Sequence, residues 1–252
     1  MDVLSIIGVI AAFGLILFGM LSGSGENLAQ LLNFFDAYSI AIVAGGTFAA
    51  LMIMFPLKVF AELPKLLAKI FVPQKYNPKN YIEGIVEIAF DARENGILSL
   101  EEKIPDYTDG FVRRSIQLAV DATSPADLRD IMESELEFVT KRQKNGVMFF
   151  EKGAVLAPGF GMAGTLVGLI NMFASHNAPE SLMPGMTAAL ITTLYGIILA
   201  NVIFLPMGNK LQKRNDEEAL CKQIIIEGVV AITNGENPKQ IQDKLISYVN
   251  QI

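Results

Sequence analysis

The 20 Lys and Arg residues of this chain lie in two blocks, 58–152 and 210–252, and none lies in 1–57 or 153–209. Four stretches also lack Asp, Glu and His: Val3–Gly25, Ala37–Leu57, Gly153–Ser175 and Ser181–Asn209. Crossing the hydrocarbon takes roughly 20 apolar residues, each rising about 1.5 Å across about 30 Å. All four stretches are long enough. Buried helices of a soluble core would need several such segments with no charged outer face. At 52% hydrophobic, the chain is also too apolar for an ordinary soluble domain. The pattern predicts an all-α integral membrane protein with four transmembrane helices and a helical cytoplasmic domain.

Topology follows from charge. The short connections Ser22–Asp36 and His176–Glu180 hold Glu26, Asp36 and Glu180 but no Lys or Arg, whereas 58–152 holds fourteen and 210–252 holds six. Basic residues mark the cytoplasmic side. Both termini are expected in the cytoplasm of a cell whose inner membrane carries the four spans. The chain then divides into spans one and two (1–57), a cytoplasmic helical domain (58–152), spans three and four (153–209) and cytoplasmic C-terminal helices (210–252). The first stretch lacks the basic leading region of a secretory signal, because only Met1 and Asp2 precede it, so it reads as a retained helix. The single Cys221 excludes internal disulfides and suits a reducing compartment. The net charge of −6, spread over parts that hold both signs, gives no sign of nucleic-acid binding.

The charged blocks read as helices. Val59–Phe71 is expected to continue the second span, with Phe60, Leu63, Leu66, Leu67 and Ile70 on one face. Pro73 and Pro78 bracket a break. Asn80–Asn95 follows, with Ile82, Ile85, Val86 and Ala89 inward and Gly96 as its stop. Ser99-Leu-Glu-Glu102 matches a capping box that restarts a helix. Ser124-Pro125 is an N-cap with Pro at the first helical position. Beyond it, Asp127 and Asp130 come early and Lys141, Arg142 and Lys144 late, as the dipole of a helix ending nearby favours. The fourth span runs on to about Thr233, and Asn237-Pro238 opens a last helix with Ile241, Leu245 and Val249 on one face.

Little here supports enzyme chemistry. One His and one Cys exclude a metal cluster, and no nucleophile–base pair stands out. His176 reads as an interfacial residue. Gly159-Phe-Gly-Met-Ala-Gly164 fits a dinucleotide fingerprint literally, but that motif needs a preceding strand, and this one lies inside an uncharged run. In a membrane helix, Gly161, Gly164, Thr165 and Gly168 instead allow close packing, with Gly164 and Gly168 a small-xxx-small pair. Pro158 lies about 9 Å beyond Lys152 and Pro206 about 6 Å before Lys210. Each removes a donor, freeing the carbonyls of Ala154 and Val202, so a kink or hinge is expected. Thr165, Thr192 and Thr193 lie at similar depth, roughly 20–25 Å in, with Tyr195 one turn after Thr192. Their hydroxyls either bond to their own helices or line an ion path. None of the four spans holds an ionisable residue, which ion carriers place in the membrane. If ions move here, a partner supplies the carboxylate; otherwise the chain is a scaffold.

Three segments carry a resemblance: Ala157-Pro-Gly-Phe-Gly-Met-Ala-Gly-Thr-Leu-Val-Gly168, Leu190-Ile-Thr-Thr-Leu-Tyr-Gly196 and Glu227-Gly with Asn234-Gly-Glu-Asn-Pro-Lys239. Over essentially its whole length the chain resembles the MotA/TolQ/ExbB superfamily. Four spans with a large block between the second and third favour its MotA branch, the ion-channel subunits of bacterial flagellar stators. The resemblance implies a pentameric ring around a dimer of MotB, whose single span supplies the membrane Asp. It implies no cofactor beyond the transported H+ or Na+. Pro158 and Pro206 match two prolines tied to conformational coupling, and Arg93 and Glu101 a charged pair that contacts the rotor protein FliG. Thr at position 192 points toward sodium, and Thr165, Thr192, Thr193 and Tyr195 are the ion-pathway residues. An ExbB/TolQ-like energiser of a periplasmic or outer-membrane process is the alternative function.

Overall fold

The computed structural model describes residues 3–23, 31–32, 34–72, 76–174 and 182–250, and all regular structure among them is helical. The predicted roles of Glu26, His176, Glu180 and Pro73 fall outside these residues. The elements are α1 (Val3–Gly23), α2 (Ala37–Ile40), a π-helical turn (Ala41–Gly45), α3 (Gly46–Met54), α4 (Leu57–Phe71) and α5 (Pro78–Asn95). A 3₁₀ run (Ile97–Asp106), α6 (Gly110–Val120), α7 (Pro125–Ala174) and α8 (Leu182–Ile198) follow. A second π-helical turn (Leu199–Phe204), α9 (Leu205–Thr233) and α10 (Pro238–Asn250) complete the chain. Stretches in Ala37–Met54, Pro125–Ala174 and Gly185–Thr233 are long and apolar enough to cross a membrane, and Ile6–Ser22 forms a shorter apolar helix. At about 1.5 Å per residue, the 21 residues of α1 reach about 30 Å.

The chain forms two compact units, one of 1–73 with 144–212 and one of 74–143 with 213–252. These bounds follow packing, whereas the blocks at 58–152 and 210–252 follow charge. The first unit is built on apolar helices around Phe149, whose ring meets Phe60 edge-on at 5.3 Å and also contacts Phe55, Phe150 and Phe204. Leu51, Ile70, Ala157 and Leu211 complete this core. The second unit buries one face of each amphipathic helix: Ile82, Ile85 and Ala89 of α5, Ile116 of α6, Leu128 and Met132 of α7, Ile224–Ile226 of α9, and Ile241 and Leu245 of α10. Val86 packs only at its edge, and Ile88 takes the expected inward place. The side chain of Val249 lies outside the described residues.

Three local readings are corrected. α4 does not continue the second span: the chain is extended at Phe55 and Pro56. A residue before Pro is pushed out of the helical region, and Pro56 itself lacks the N–H a continuing helix needs. Within α4, Leu67 is exposed and Val59 is buried. Ser99 caps nothing; it lies inside the 3₁₀ run, and its Oγ donates to Gly96 O at 2.7 Å. Gly96, at φ +86°, already ends α5 and starts the run, a backbone that glycine alone adopts without strain. Finally, α7 does not end near Lys144 but runs 50 residues to Ala174, so Lys141, Arg142 and Lys144 have no helix terminus to complement. The N-cap holds, with Asp127 N donating to Ser124 Oγ at 3.1 Å. Asn237 likewise caps α10 through Lys239 N.

The second unit also buries ions. Glu227 of α9 is held by Arg129 of α7 through both carboxylate oxygens, Nη2 to Oε2 at 3.0 Å, and Lys244 of α10 lies 3.5 Å away. The Arg129 guanidinium keeps the Glu227 carboxyl below the usual range, against the effect of burial. Lys222 and Glu218 pair at 2.7 Å within α9. Burial pushes the Cys221 thiol up to about 12, which keeps it protonated and unreactive.

Candidate functional site

α7 and α8 approach backbone to backbone. An added Cβ at Gly196 would lie 2.8 Å from Ala157 O and 3.2 Å from Pro158 Cα, and one at Gly168 would lie 2.8 Å from Gly185 O. Real Cβ atoms do not sit this close, so only glycine permits the seam. The small residues read as packing residues do pack, and Gly185 and Gly196 on α8 are their counterparts. The spacing on α7 alone did not identify them.

This approach brings Thr165 of α7 and Thr193 of α8 together, with their Oγ1 atoms 2.5 Å apart. Thr165 Oγ1 is also 3.0 Å from Gly161 O and 3.0 Å from Ala189 O. Thr193 Oγ1 lies 3.4 Å from the same Ala189 carbonyl, and Thr192 Oγ1 donates to it at 2.9 Å. Three hydroxyl protons thus serve five oxygens, counting the two carbonyls. A hydroxyl has one proton to give. The surplus lone pairs favour a positive charge, and carbonyl and hydroxyl oxygens replace the water around a cation in membrane channels. The two carbonyls were not legible in the sequence, because every residue has one and only helix packing aims them.

The predicted pathway residues do not all meet. Thr165 and Thr193 are half-buried and joined. Thr192 is 1% exposed, with its methyl turned to Gly164, so it lies within the seam. Tyr195 lies elsewhere: its hydroxyl donates to Phe34 O at 2.5 Å and accepts from Asp36 N at 3.2 Å. That segment caps α2, with Asp36 Oδ2 accepting from Ser39 N at 2.9 Å.

The prolines behave differently. Pro158 lies within the single helix α7 and packs on the Gly196 turn. Pro206 follows a π-helical turn in which Leu205 N donates to Ala200 O, five residues back. Single π turns mark functional positions in helices. Arg93 and Glu101 are both exposed in the second unit, Arg93 in the last turn of α5 and Glu101 in the 3₁₀ run. Nothing local distinguishes them from solvated charges.

Comparison with known proteins gives this geometry a family. Residues 103–223 match the model of the MotA/TolQ/ExbB proton channel family. Motility protein A of Aquifex aeolicus is 42% identical over 97% of this chain and 95% of its own length. Motility protein A of Treponema phagedenis is 35% identical over 99% and 95%. The fold matches the flagellar MotAB stator complex from Bacillus subtilis with a TM-score of 0.87 at 31% identity, covering 97% of this chain and 94% of that one. With relatives at this identity aligned along nearly their whole length, the chain belongs to the MotA/TolQ/ExbB proton channel family.

Proposed function

We propose that this protein is the ion-channel subunit of a bacterial flagellar stator in the inner membrane, a pentameric ring around a MotB dimer that drives the rotor protein FliG. The observation that carries the reading is the Thr165–Thr193 pair closing on the Ala189 carbonyl, inside the stretches Gly153–Ser175 and Ser181–Asn209, which hold no Asp, Glu, Lys, Arg or His. Neutral oxygens replace part of a cation's water but carry no net charge to offset its own. The MotB carboxylate supplies the missing charge. The likeness to the Bacillus subtilis stator complex supports such a partner. Full-length relatives named Motility protein A favour this reading over an ExbB/TolQ-like energiser.

An ion enters from outside, binds the partner carboxylate beside Thr165 and Thr193, and neutralises it. The neutral side chain then prefers a different ring subunit, and the ring steps. Pro158 and the π turn before Pro206 are the places where each subunit flexes. Both lie toward the ends of their spans nearer the charged blocks. Arg93 and Glu101 pass the step to the rotor by charge complementarity. Each charge crossing supplies about 2.3 kcal/mol per 100 mV, enough for small steps among equivalent subunits. Sodium is the coupling ion, because the cluster offers hydroxyl and carbonyl oxygens for a partly dehydrated cation.

The test is expression with the partner in a cell lacking stators, followed by rotation of tethered cells. Rotation should stop with a partner whose membrane Asp is replaced by Asn, and should depend on external sodium at constant membrane potential. Rotation unaffected by the Asp→Asn partner overturns the stator reading, and unchanged rotation without sodium overturns the ion assignment.

A further inference from the structure

We infer that Tyr195 is a positioning residue for the ion pathway, one that fixes the rotation of α8 about its axis and so holds Thr193 against Thr165. The inference rests on the ion-pathway reading of those two threonines. Tyr195 follows Thr193 by two residues, and at 3.6 residues per turn their side chains leave α8 on nearly opposite sides. On one side, Thr193 Oγ1 meets Thr165 Oγ1 of α7 at 2.5 Å. On the other, the Tyr195 hydroxyl uses both its proton and a lone pair, donating to Phe34 O at 2.5 Å and accepting from Asp36 N at 3.2 Å. The receiving segment is itself fixed, because Asp36 caps α2 through Ser39, which is 1% exposed. α8 is therefore pinned from two sides by polar contacts.

Apolar packing of α8 against α2 and the first π turn on the Tyr195 side is incomplete. An open groove of about 170 Å³ lies there, lined by Val43, Ala44, Ile198 and Leu199 among others. A turn of about 20° moves an atom about 5 Å from the helix axis by nearly 2 Å. A hydrogen bond is lost over that distance. The two bonds of one hydroxyl thus keep the cation-facing oxygens in register across the helix.

Tyr195→Phe removes the hydroxyl and keeps the ring. It is measured in the full stator complex, in a cell without other stators, as rotation speed against external sodium at fixed membrane potential. The half-saturating concentration should rise roughly three- to ten-fold, while speed at saturation and the amount of protein in the membrane stay near the parent's. Adding Ala44→Leu fills part of the groove and should return the half-saturating concentration toward the parent value. A hydroxyl that touched the ion directly would not be replaced this way, so a double variant as defective as Tyr195→Phe overturns the inference. An unchanged half-saturation in Tyr195→Phe, or loss of the protein from the membrane, overturns it as well. Thr165→Ala is the companion measurement. If it has no effect, the ion-pathway reading fails; if it acts and Tyr195→Phe does not, only the role of Tyr195 fails.

Discussion

The two units bury different kinds of polar group. Among the described residues of the unit with the apolar helices, the buried polar side chains are Ser39, Thr47 and Thr192. In the other unit they are Ser115, Arg214, Asn215, Glu218, Lys222 and Glu227. A hydroxyl is satisfied by its own helix, as Thr47 Oγ1 is by Val43 O at 2.6 Å. It needs no neighbour and adds no net charge to a segment in hydrocarbon. A buried charge must find its opposite, within one helix as Lys222 finds Glu218 or on another element as Glu227 finds Arg129 across 98 positions of sequence. Where the partner is on another helix, that requirement ties the two helices together. Both units have an apolar core, and the second adds buried ion pairs to it.

The most damaging way to break that contrast is to remove one half of the buried ion pair. Glu227→Ala leaves Arg129 only its more exposed partner Glu133 and should destabilise the second unit by about 3 kcal/mol, the low end for a buried pair, because Arg129 is 33% exposed. Chemical denaturation of the detergent-solubilised chain measures it, and a loss below about 1 kcal/mol would place the pair with ordinary surface ion pairs. In the first unit the equivalent blow is steric. Gly196→Val pushes side-chain atoms into Ala157 O and should cost about 1–3 kcal/mol, or prevent assembly, through forced separation of α7 and α8. The yield of assembled complex on size-exclusion chromatography reads it out. Thr165→Ala is milder for folding but should cut ion-driven rotation about tenfold, the equivalent of about 1.4 kcal/mol, with Thr165→Ser retaining most of it.

Acid should separate the units as well. Arg129 lowers the Glu227 carboxyl below its ordinary value of 4.5, so its contribution is full above that value and is lost as pH falls through the lower folded one. Unfolding of the second unit should ease below about pH 4.5, and Glu227→Gln should flatten the dependence. The smallest effect belongs to Lys103→Ala. Its ion pair with Asp91 at 2.5 Å is at the surface, and thermal melting should not register its loss.

Legibility in the sequence followed the range of the interaction. Caps at Ser124 and Asn237 and the stop at Gly96 were readable, because a cap is settled within three or four residues. Ser99 misled because Gly96 had already begun the 3₁₀ run that encloses it. The late charges of α7 misled because dipole logic presumes an end, and an apolar continuation extends the helix past them. Within the site, the polar positions were visible as hydroxyls deep in charge-free stretches. Which of them meet was not, since Thr192, Thr193 and Tyr195 leave one helix in three directions.

Sequence alone determined the membrane class, the four apolar segments and the positions of the charged blocks. These depend on composition over a length of chain, and a bilayer reads composition directly. Only the tertiary structure decided that Ala189 O gathers three hydroxyls, that Tyr195 turns away to hold the start of α2, and that Glu227 answers Arg129. Each of these joins residues of different helices, and the join exists only once glycine surfaces have let backbones approach or a core has brought distant faces together.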